Sequence, residues 1–415
     1  MRSILPSHQL GNFAAILVVL NAACSPNTTA APASANNTYY TAPTGLDANS
    51  GTLSAPFKTI AKGVSVLKPG DILYIRAGTY DEAIDNEVPS GTSWANPVTL
   101  AAYPGETVTI QPTDSRVVLI SSPVSYIIFQ DLILDGSNLT TAYPVVYINN
   151  MYGTGTPHHL RFIGGEIRNS DSSQGVLIES STSGATPDYN EFINIKIHDN
   201  GATNLHHGIY IQSSHNLVSG CDIYHNATFA IQIYRDNAVN GVNASYNIVR
   251  NNKLHDNAVS GGGAGAVLSG GDGNIAYNNL IWNNRGGILV DYSASNTGVY
   301  DNTIYANNAN GATAPGIQLG YNVGASNTTI RDNIIFGNTA GDIITQSATN
   351  TVADHNTLGA TDPKFVNASG FDFHLQAGSP AIGAGVAVPG ITTDFDGATR
   401  PQGSSYDTGA YEYVP

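Results

Sequence analysis

Charge is scarce in this chain. Only 11% of its 415 residues are Asp, Glu, Lys or Arg, which excludes long surface helices stabilised by salt-bridged faces. The two cysteines, Cys24 and Cys221, exclude a disulfide framework. Basic residues never form a run and the formal net charge is −15, so nucleic acid and anionic membrane surfaces are excluded as partners. No segment beyond the N-terminal region is long and apolar enough to span a bilayer. What is present is Gly, at 44 residues, with Asn, Ser and Thr throughout and a hydrophobic share of 41%. That composition predicts many short strands joined by polar turns around a long core.

The first residues read as an export signal. Arg2 precedes an apolar stretch from Phe13 to Leu20, followed by Asn21-Ala22-Ala23-Cys24. Ala-Ala-Cys-Ser resembles a bacterial lipoprotein processing site, in which the cysteine is acylated; simple secretion is the alternative. Residues 1–24 are therefore expected to be a signal peptide and 25–37 a low-complexity linker. The chain is expected to be secreted or a surface lipoprotein, touching a membrane only through a lipid on Cys24. Cys221 is expected to be a small buried apolar residue.

Two short patterns alternate along the rest of the chain. One is a small residue followed by alternating apolar residues, as in Gly175 to Ser180, Gly208 to Ser213, Ala230 to Arg235, Gly265 to Gly270, Gly287 to Tyr292, Gly316 to Tyr321 and Asp342 to Ser347. The other runs from Asn190 to Asn200, Asn216 to Asn226, Asn247 to Asn257, Asn274 to Asn284, Thr297 to Asn307 and Thr328 to Asn338. Aligning the second set stacks Asn252, Asn279, Asn302 and Asn333 in one column. An aliphatic column (Ile197, Ile223, Leu254, Ile281, Ile304, Ile335) and a ring column (His198, Tyr224, His255, Trp282, Tyr305, Phe336) follow. An apolar spacing of two excludes helical repeats, and the unit is too short for a propeller blade. Each unit buries its apolar face only against its neighbours. The fold expected is all-β, a right-handed parallel β-helix over 81–360, between an N-terminal strand and helical cap (38–80) and a C-terminal cap (361–415). Ser54-Ala55-Pro56 followed by Phe57, Ile60, Ala61, Val64 and Leu67 predicts an amphipathic capping helix with Ser54 as its cap. Lys196, Asp222 and Lys253 share an outward column and are expected to form a surface ion-pair ladder.

Several segments carry a family resemblance. Tyr39-Tyr-Thr-Ala-Pro43, Gly51 to Ile60, Lys68-Pro-Gly-Asp71 and Ala77-Gly-Thr-Tyr80 resemble the entry segment of the pectate-lyase-like β-helix superfamily. Asp362-Pro-Lys-Phe365, Gly378 to Gly383, Asp394-Phe-Asp-Gly397, Arg400-Pro401 and Asp407 to Tyr411 resemble the closing segment of its bacterial secreted members. The resemblance implies a carbohydrate-active surface protein, most often a polysaccharide lyase, acting on a polysaccharide and expected to be a monomer. Neither the Tyr-Gly-Phe-Asp-Pro-His run of C5-epimerases nor the Asn-Gly-Gly-Glu-Thr run of alginate and chondroitin lyases occurs. No metal site is legible; calcium at Asp394 and Asp396 competes with a simple Asp-Gly turn.

Alternation points a ladder outward from the first pattern: Leu177/Glu179, Tyr210/Gln212, Gln232/Tyr234, Val267/Ser269, Leu289/Asp291 and Gln318/Gly320. Long loops (181–189, 236–246, 201–207, 258–264 and 308–315) flank this face, where function tends to sit. Cleaving a uronate needs a cation on its carboxylate, a base for the C5 proton and an acid for the leaving oxygen. Arg235 is the candidate neutraliser, His206, His207 or Tyr210 the base and Tyr234 the acid. Glu179, Gln212, Gln232, Asp236 and Asp291 are candidate substrate contacts. The structural alternative is that the histidines cap a turn, Arg235 pairs with Asp236 and the tyrosines cover the strand. Three functions stay open: a lyase acting by β-elimination on an acidic glycan, a non-catalytic glycan-binding or adhesion protein, and a glycoside hydrolase. The hydrolase needs a close carboxylate pair; Glu179 and Asp291, four coils apart, would lie roughly 19 Å from each other.

Overall fold

The computed structural model describes residues 36–113, 116–150, 155–180, 186–234 and 244–415. The segment expected to be a signal peptide, with Cys24, lies outside the described residues. The chain visits three long parallel sheets in turn, one strand in each per coil. The first sheet has 12 strands, from Thr38–Thr41 to Val352–Asp354. The second has 11, from Gly78–Tyr80 to Thr357–Leu358, and the third has 10, from Ile84–Asp85 to Ile343–Thr345. The result is the right-handed parallel β-helix that the repeats predict. The aliphatic column from Ile197 to Ile335 is fully buried inside it.

Each corner of the prism is built the same way. A residue in the left-handed region turns the chain, and the next residue sends its side chain inward. Between the first and second sheets the pairs are Asn251–Asn252, Asn278–Asn279, Asp301–Asn302 and Asp332–Asn333, with φ of 51–58° at the first member. Between the second and third they include Asp199–Asn200, His225–Asn226, Asp256–Asn257 and Asn283–Asn284. Between the third and first they include Tyr189–Asn190, His215–Asn216 and Tyr246–Asn247. Asn and Asp tolerate this backbone better than other non-glycine residues.

The inward amides bond to one another from coil to coil. Asn252 Nδ2 donates to Asn279 Oδ1 at 2.9 Å, Asn279 Nδ2 to Asn302 Oδ1 at 2.9 Å and Asn302 Nδ2 to Asn333 Oδ1 at 3.0 Å. Asn279 also donates to Val249 O and accepts from the Asn252 backbone amide, so both its hydrogens and both its lone pairs are used. The residues that bounded the repeat pattern form two further ladders. One runs Asn200, Asn226, Asn257, Asn284, Asn307, Asn338, and the other Asn190, Asn216, Asn247, Asn274. Cys221 occupies the ladder position above Asn252: its backbone amide donates to Asn252 Oδ1, and burial pushes its thiol up to about 12.

Both ends differ in detail from the sequence expectation. The capping helix is Ile60–Val64, and its N-cap is Thr59, whose hydroxyl accepts from Lys62 N at 3.1 Å. Ser54 is not the cap, because Phe57 pairs in extended form with Thr41 and keeps the preceding residues out of the helix. Ile60 and Val64 cover the first coil at Leu73 and Ile75. The closing segment folds back along the outer face of the second sheet, where Phe365, Phe373, Leu375 and Tyr411 pack on Leu280, Trp282 and Ile334. The ring column stacks as expected from His198 through Tyr224 and His255 to Trp282, and there Phe371 and Phe373 join it. The Lys196–Asp222–Lys253 ion ladder does not form: Lys196 reaches Glu166, and Asp222 is held by His255 Nε2 at 2.8 Å.

Arg400 clamps the closing segment. Its guanidinium lies between Glu412 (2.9 Å) and Asp301 (3.5 Å), all three buried, and donates to Asp407 O and Gly409 O. One guanidinium cannot neutralise two buried carboxylates, and burial pushes the Asp301 carboxyl up to about 8. A folded value above the unfolded 3.8 means stability that is complete at low pH and lost as pH rises through about 8. Denaturation of the wild type should therefore show stability falling between about pH 4 and 8 and levelling off above that, and Asp301→Asn should remove most of that fall. Asn279→Ala strands the Asn252 donors and opens the ladder; chemical denaturation should show a loss of about 2–4 kcal/mol.

Candidate functional site

The third sheet stacks the expected outward ladder in register. Tyr147 pairs with Leu177, Leu177 with Tyr210, Tyr210 with Gln232, Gln232 with Val267, Val267 with Leu289 and Leu289 with Gln318. Tyr210, Gln212, Gln232 and Tyr234 are all half-buried on this strip. Burial holds the Tyr210 phenol above its ordinary value; Gln212 opposes the shift, while Tyr234 and Glu179 add to it. The Glu179 carboxylate accepts the Tyr147 hydroxyl. Glu179, Tyr210 and Tyr234 thus share one polar strip.

Other expected site residues serve the scaffold. Asp291 is fully buried and accepts from Asn322 N, Asn322 Nδ2, Val323 N and Gly324 N, so it anchors the loop after Leu319 and does not face substrate. Desolvation works against its charge, but these hydrogen bonds hold the carboxyl below the usual range. His207 is buried, with Nδ1 at 2.6 Å from Thr228 Oγ1. Thr228 spends its hydroxyl hydrogen on His206 O, so His207 Nδ1 is the donor and its ring is held in one tautomer. Burial and the neighbouring His206 bring His207 down to about 3. His206 Nδ1 accepts the amides of Ala202 and Thr203 at 3.1 and 3.4 Å. The proton of the neutral ring is then on Nε2, and the lone pair a base would use is occupied. Both histidines therefore belong to the corner. Arg235 and Asp236 lie outside the described residues.

One residue on this face escaped the sequence reading. Corners between the second and third sheets alternate in length: 258–264 and 308–315 are long, whereas Asn284 is followed by only Arg285 before the strand resumes at Gly286. The long corners meet across the short one, Asn310 Nδ2 donating to Ala258 O at 3.1 Å. The notch beneath is a cleft of about 450 Å³ lined by Phe229, Arg285, Leu289, Gln318 and Tyr321. Arg285 is half-buried and, among the described residues, has no ion pair or hydrogen bond. The other described arginines are engaged, for example Arg76 with Glu106, Arg161 with Glu191 and Arg331 with Asp354. The signal that could have revealed Arg285 was the short corner between two long ones.

Among the described residues no group of three or more His, Cys, Asp and Glu side chains converges as a metal site. Asp394 bonds the amides of Asp396, Ala398 and Glu412 in its turn, and Asp396 reaches His374.

Residues 174–358 match the family model described as a right handed beta helix region, and residues 43–91 match a protein family of unknown function, DUF1565. Pectate lyase PEL9 of Emericella nidulans is 34% identical over 71 residues, covering 17% of either chain. The uncharacterized protein YwoF of Bacillus subtilis is 39% identical over 71 residues, 17% of this chain and 15% of that one. The matches thus span under a fifth of these relatives. Among solved structures, pectate lyase Pel9A superposes with a TM-score of 0.63 at 18% identity, covering 91% of this chain and 96% of that one. XylC in complex with xylose gives 0.59 at 13% identity over 77% and 75%. The chain is a right-handed parallel β-helix, a fold it shares with pectate lyase Pel9A.

His207 gives a test of its structural role. Its folded value lies below the unfolded 6.5, so the stability it contributes is present above about 6.5 and lost as pH falls towards 3. His207→Ala should cost about 2–4 kcal/mol at neutral pH. In acid-side denaturation, His207→Gln should gain on the wild type as pH drops from about 7 to 5.

Proposed function

We propose that the chain is a carbohydrate-active protein that cleaves an acidic polysaccharide by β-elimination along the outer strip of the third sheet. The observation that carries this reading is Arg285, a half-buried guanidinium without a protein counter-ion, in a notch continuous with the tyrosine- and glutamine-bearing strip. From the Tyr210 coil to the Arg285 coil is three strand steps, roughly 14 Å, a distance an extended oligosaccharide covers. In this reading Arg285 binds the carboxylate of a uronate further along the polymer and so holds the chain in register on the strip. Tyr234 is the candidate to take the C5 proton of the uronate that is cleaved beside Tyr210. Tyr210, kept protonated by burial, gives its hydrogen to the leaving O4 as C4–O4 breaks and the C4=C5 double bond forms. Of the carboxylates on the described face, Asp291 is enclosed, and Asp85 is paired with Arg116 three strand steps from the Glu179 coil, roughly 14 Å; this separation disfavours the hydrolase. Similarity to the pectate lyases named above supports the substrate class, and export through the N-terminal signal fits it.

The test is a panel of pectate, alginate and glycosaminoglycans, followed by the ultraviolet absorbance of unsaturated uronate ends. Arg285→Ala, Tyr210→Phe and Tyr234→Phe should each lower kcat/KM on the order of 10²–10⁴-fold while leaving the fold intact. Retained glycan binding with no unsaturated product from any substrate would make the protein a binding module instead.

A further inference from the structure

A second cleft lies at the corner between the first and second sheets, away from the third. It holds about 640 Å³, and its floor is formed by Ser219–Asp222, Arg250, Asn251, Lys253 and Tyr277. Its wall is the closing segment, Gly390–Thr393 with Phe395. That wall is fixed to the coils: Asn278 Nδ2 donates to Thr393 O at 2.8 Å, and Asn251 Nδ2 to Asp394 O and Phe395 O at 3.3 and 3.2 Å. The cleft is thus part of the folded body.

Its charges are unusual for this chain. Arg250 donates only to neutral oxygens, from Nε to Ser219 Oγ (3.3 Å) and from a terminal nitrogen to the Tyr277 hydroxyl (2.9 Å). These bonds orient the guanidinium and leave its other terminal nitrogen free to donate. Lys253 is exposed and, among the described residues, has no ion pair. The one carboxylate in the lining, Asp222, is taken by His255. A protein of net charge −15 therefore presents two cations without counter-ions in a walled cleft beside two aromatic rings, Tyr277 and Phe395. An oriented guanidinium with an ammonium beside it suits a carboxylate. Exposed aromatic surface suits the apolar face of a sugar ring, and the side chains of Thr392, Thr393 and Asn194 suit its hydroxyls.

We propose that this cleft is a second, non-catalytic site for a uronate-bearing oligosaccharide, holding the polymer on a side of the protein away from the cleavage strip. The choice of ligand rests on the acidic-glycan reading above; the site itself rests on the cleft. Isothermal titration of the full chain carrying Arg285→Ala would use trisaccharides of galacturonate and of mannuronate, with maltotriose as the neutral control. The expected result is residual, salt-sensitive uronate binding that weakens at least about tenfold when Lys253→Glu is added, with no binding of maltotriose. Arg250→Gln should weaken it likewise. The inference is overturned if Arg285→Ala protein binds neither uronate, or if Lys253→Glu and Arg250→Gln leave its isotherm unchanged. Uronate turnover by the wild type with no binding left in Arg285→Ala would sink this site alone. Binding that depends on Lys253, with no turnover of any acidic glycan, would sink the lyase reading alone.

Discussion

The inward asparagine at each corner is the constraint on which the rest depends. A three-sided coil must turn sharply three times, and each turn leaves peptide groups facing the core with no strand partner. The amide of Asn252 or Asn279 answers those groups, and it can do so only if the coil above and the coil below supply its own partners. A single coil with a buried amide would be unstable; a stack of them is mutually satisfied. Folding is therefore cooperative along the axis, with each rung depending on its nearest neighbours. The third-to-first corner shows the alternative. After Asn274 its ladder changes to Thr297, Thr328 and Thr351, whose hydroxyls find no partner. There, short extra strands, Ala294–Ser295, Ala325–Ser326 and Ala348–Thr349, pair with one another, so backbone bonding replaces the amides.

Because the columns fix where each strand begins, variation is confined to the corners. Insertion lengths alternate at the second-to-third corner, and an alternation of long and short loops makes notches across the strip that borders it. The cleft at Arg285 needs no special strand. It follows from one short corner under two long ones whose tips touch through Asn310. The closing segment acts differently: it covers the apolar outer face of the second sheet, where Leu280, Trp282 and Ile334 would otherwise be exposed. In crossing the first-to-second corner it walls the cleft at Arg250.

The fold was legible because periodicity is a property of the sequence itself. Ile197, Ile223, Leu254, Ile281, Ile304 and Ile335 recur once per coil and sit one above another in register. The site was only half legible because alternation gives direction and not exposure. Tyr210 and Asp291 both point out of the third sheet, yet Asp291 is enclosed by the loop 321–324, while Ser269 lies beneath the meeting of Tyr234 and Tyr292. His206 and His207 look catalytic as a pair, but adjacent residues in a corner face different surroundings, one bonded to loop amides and the other sunk beside Phe229. Arg285 was hidden because its significance lies in what its neighbours lack. The closing segment has no period at all, so neither its path nor the cleft it completes could be read from spacing.

The distribution of positive charge joins these points. The parallel register brings residues about one coil apart in sequence side by side, and this chain uses that to neutralise its arginines: Arg76 with Glu106, Arg161 with Glu191 and Arg331 with Asp354 each bridge adjacent coils. A cation escapes such pairing where the neighbouring coils offer it no carboxylate, as at Arg250, or where the carboxylate beside it is already held, as Asp222 beside Lys253 is by His255. At physiological salt, fields from exposed charges fade beyond about 8 Å, so the overall negative charge does not bar an anionic polymer from a cation set in a cleft. The same acidity opposes binding wherever no such cation stands. For a strongly negative β-helix the proposed acidic glycan would be met at discrete points, and it is the missing or already engaged carboxylates around Arg285, Arg250 and Lys253, all of which line a cleft, that would select those points.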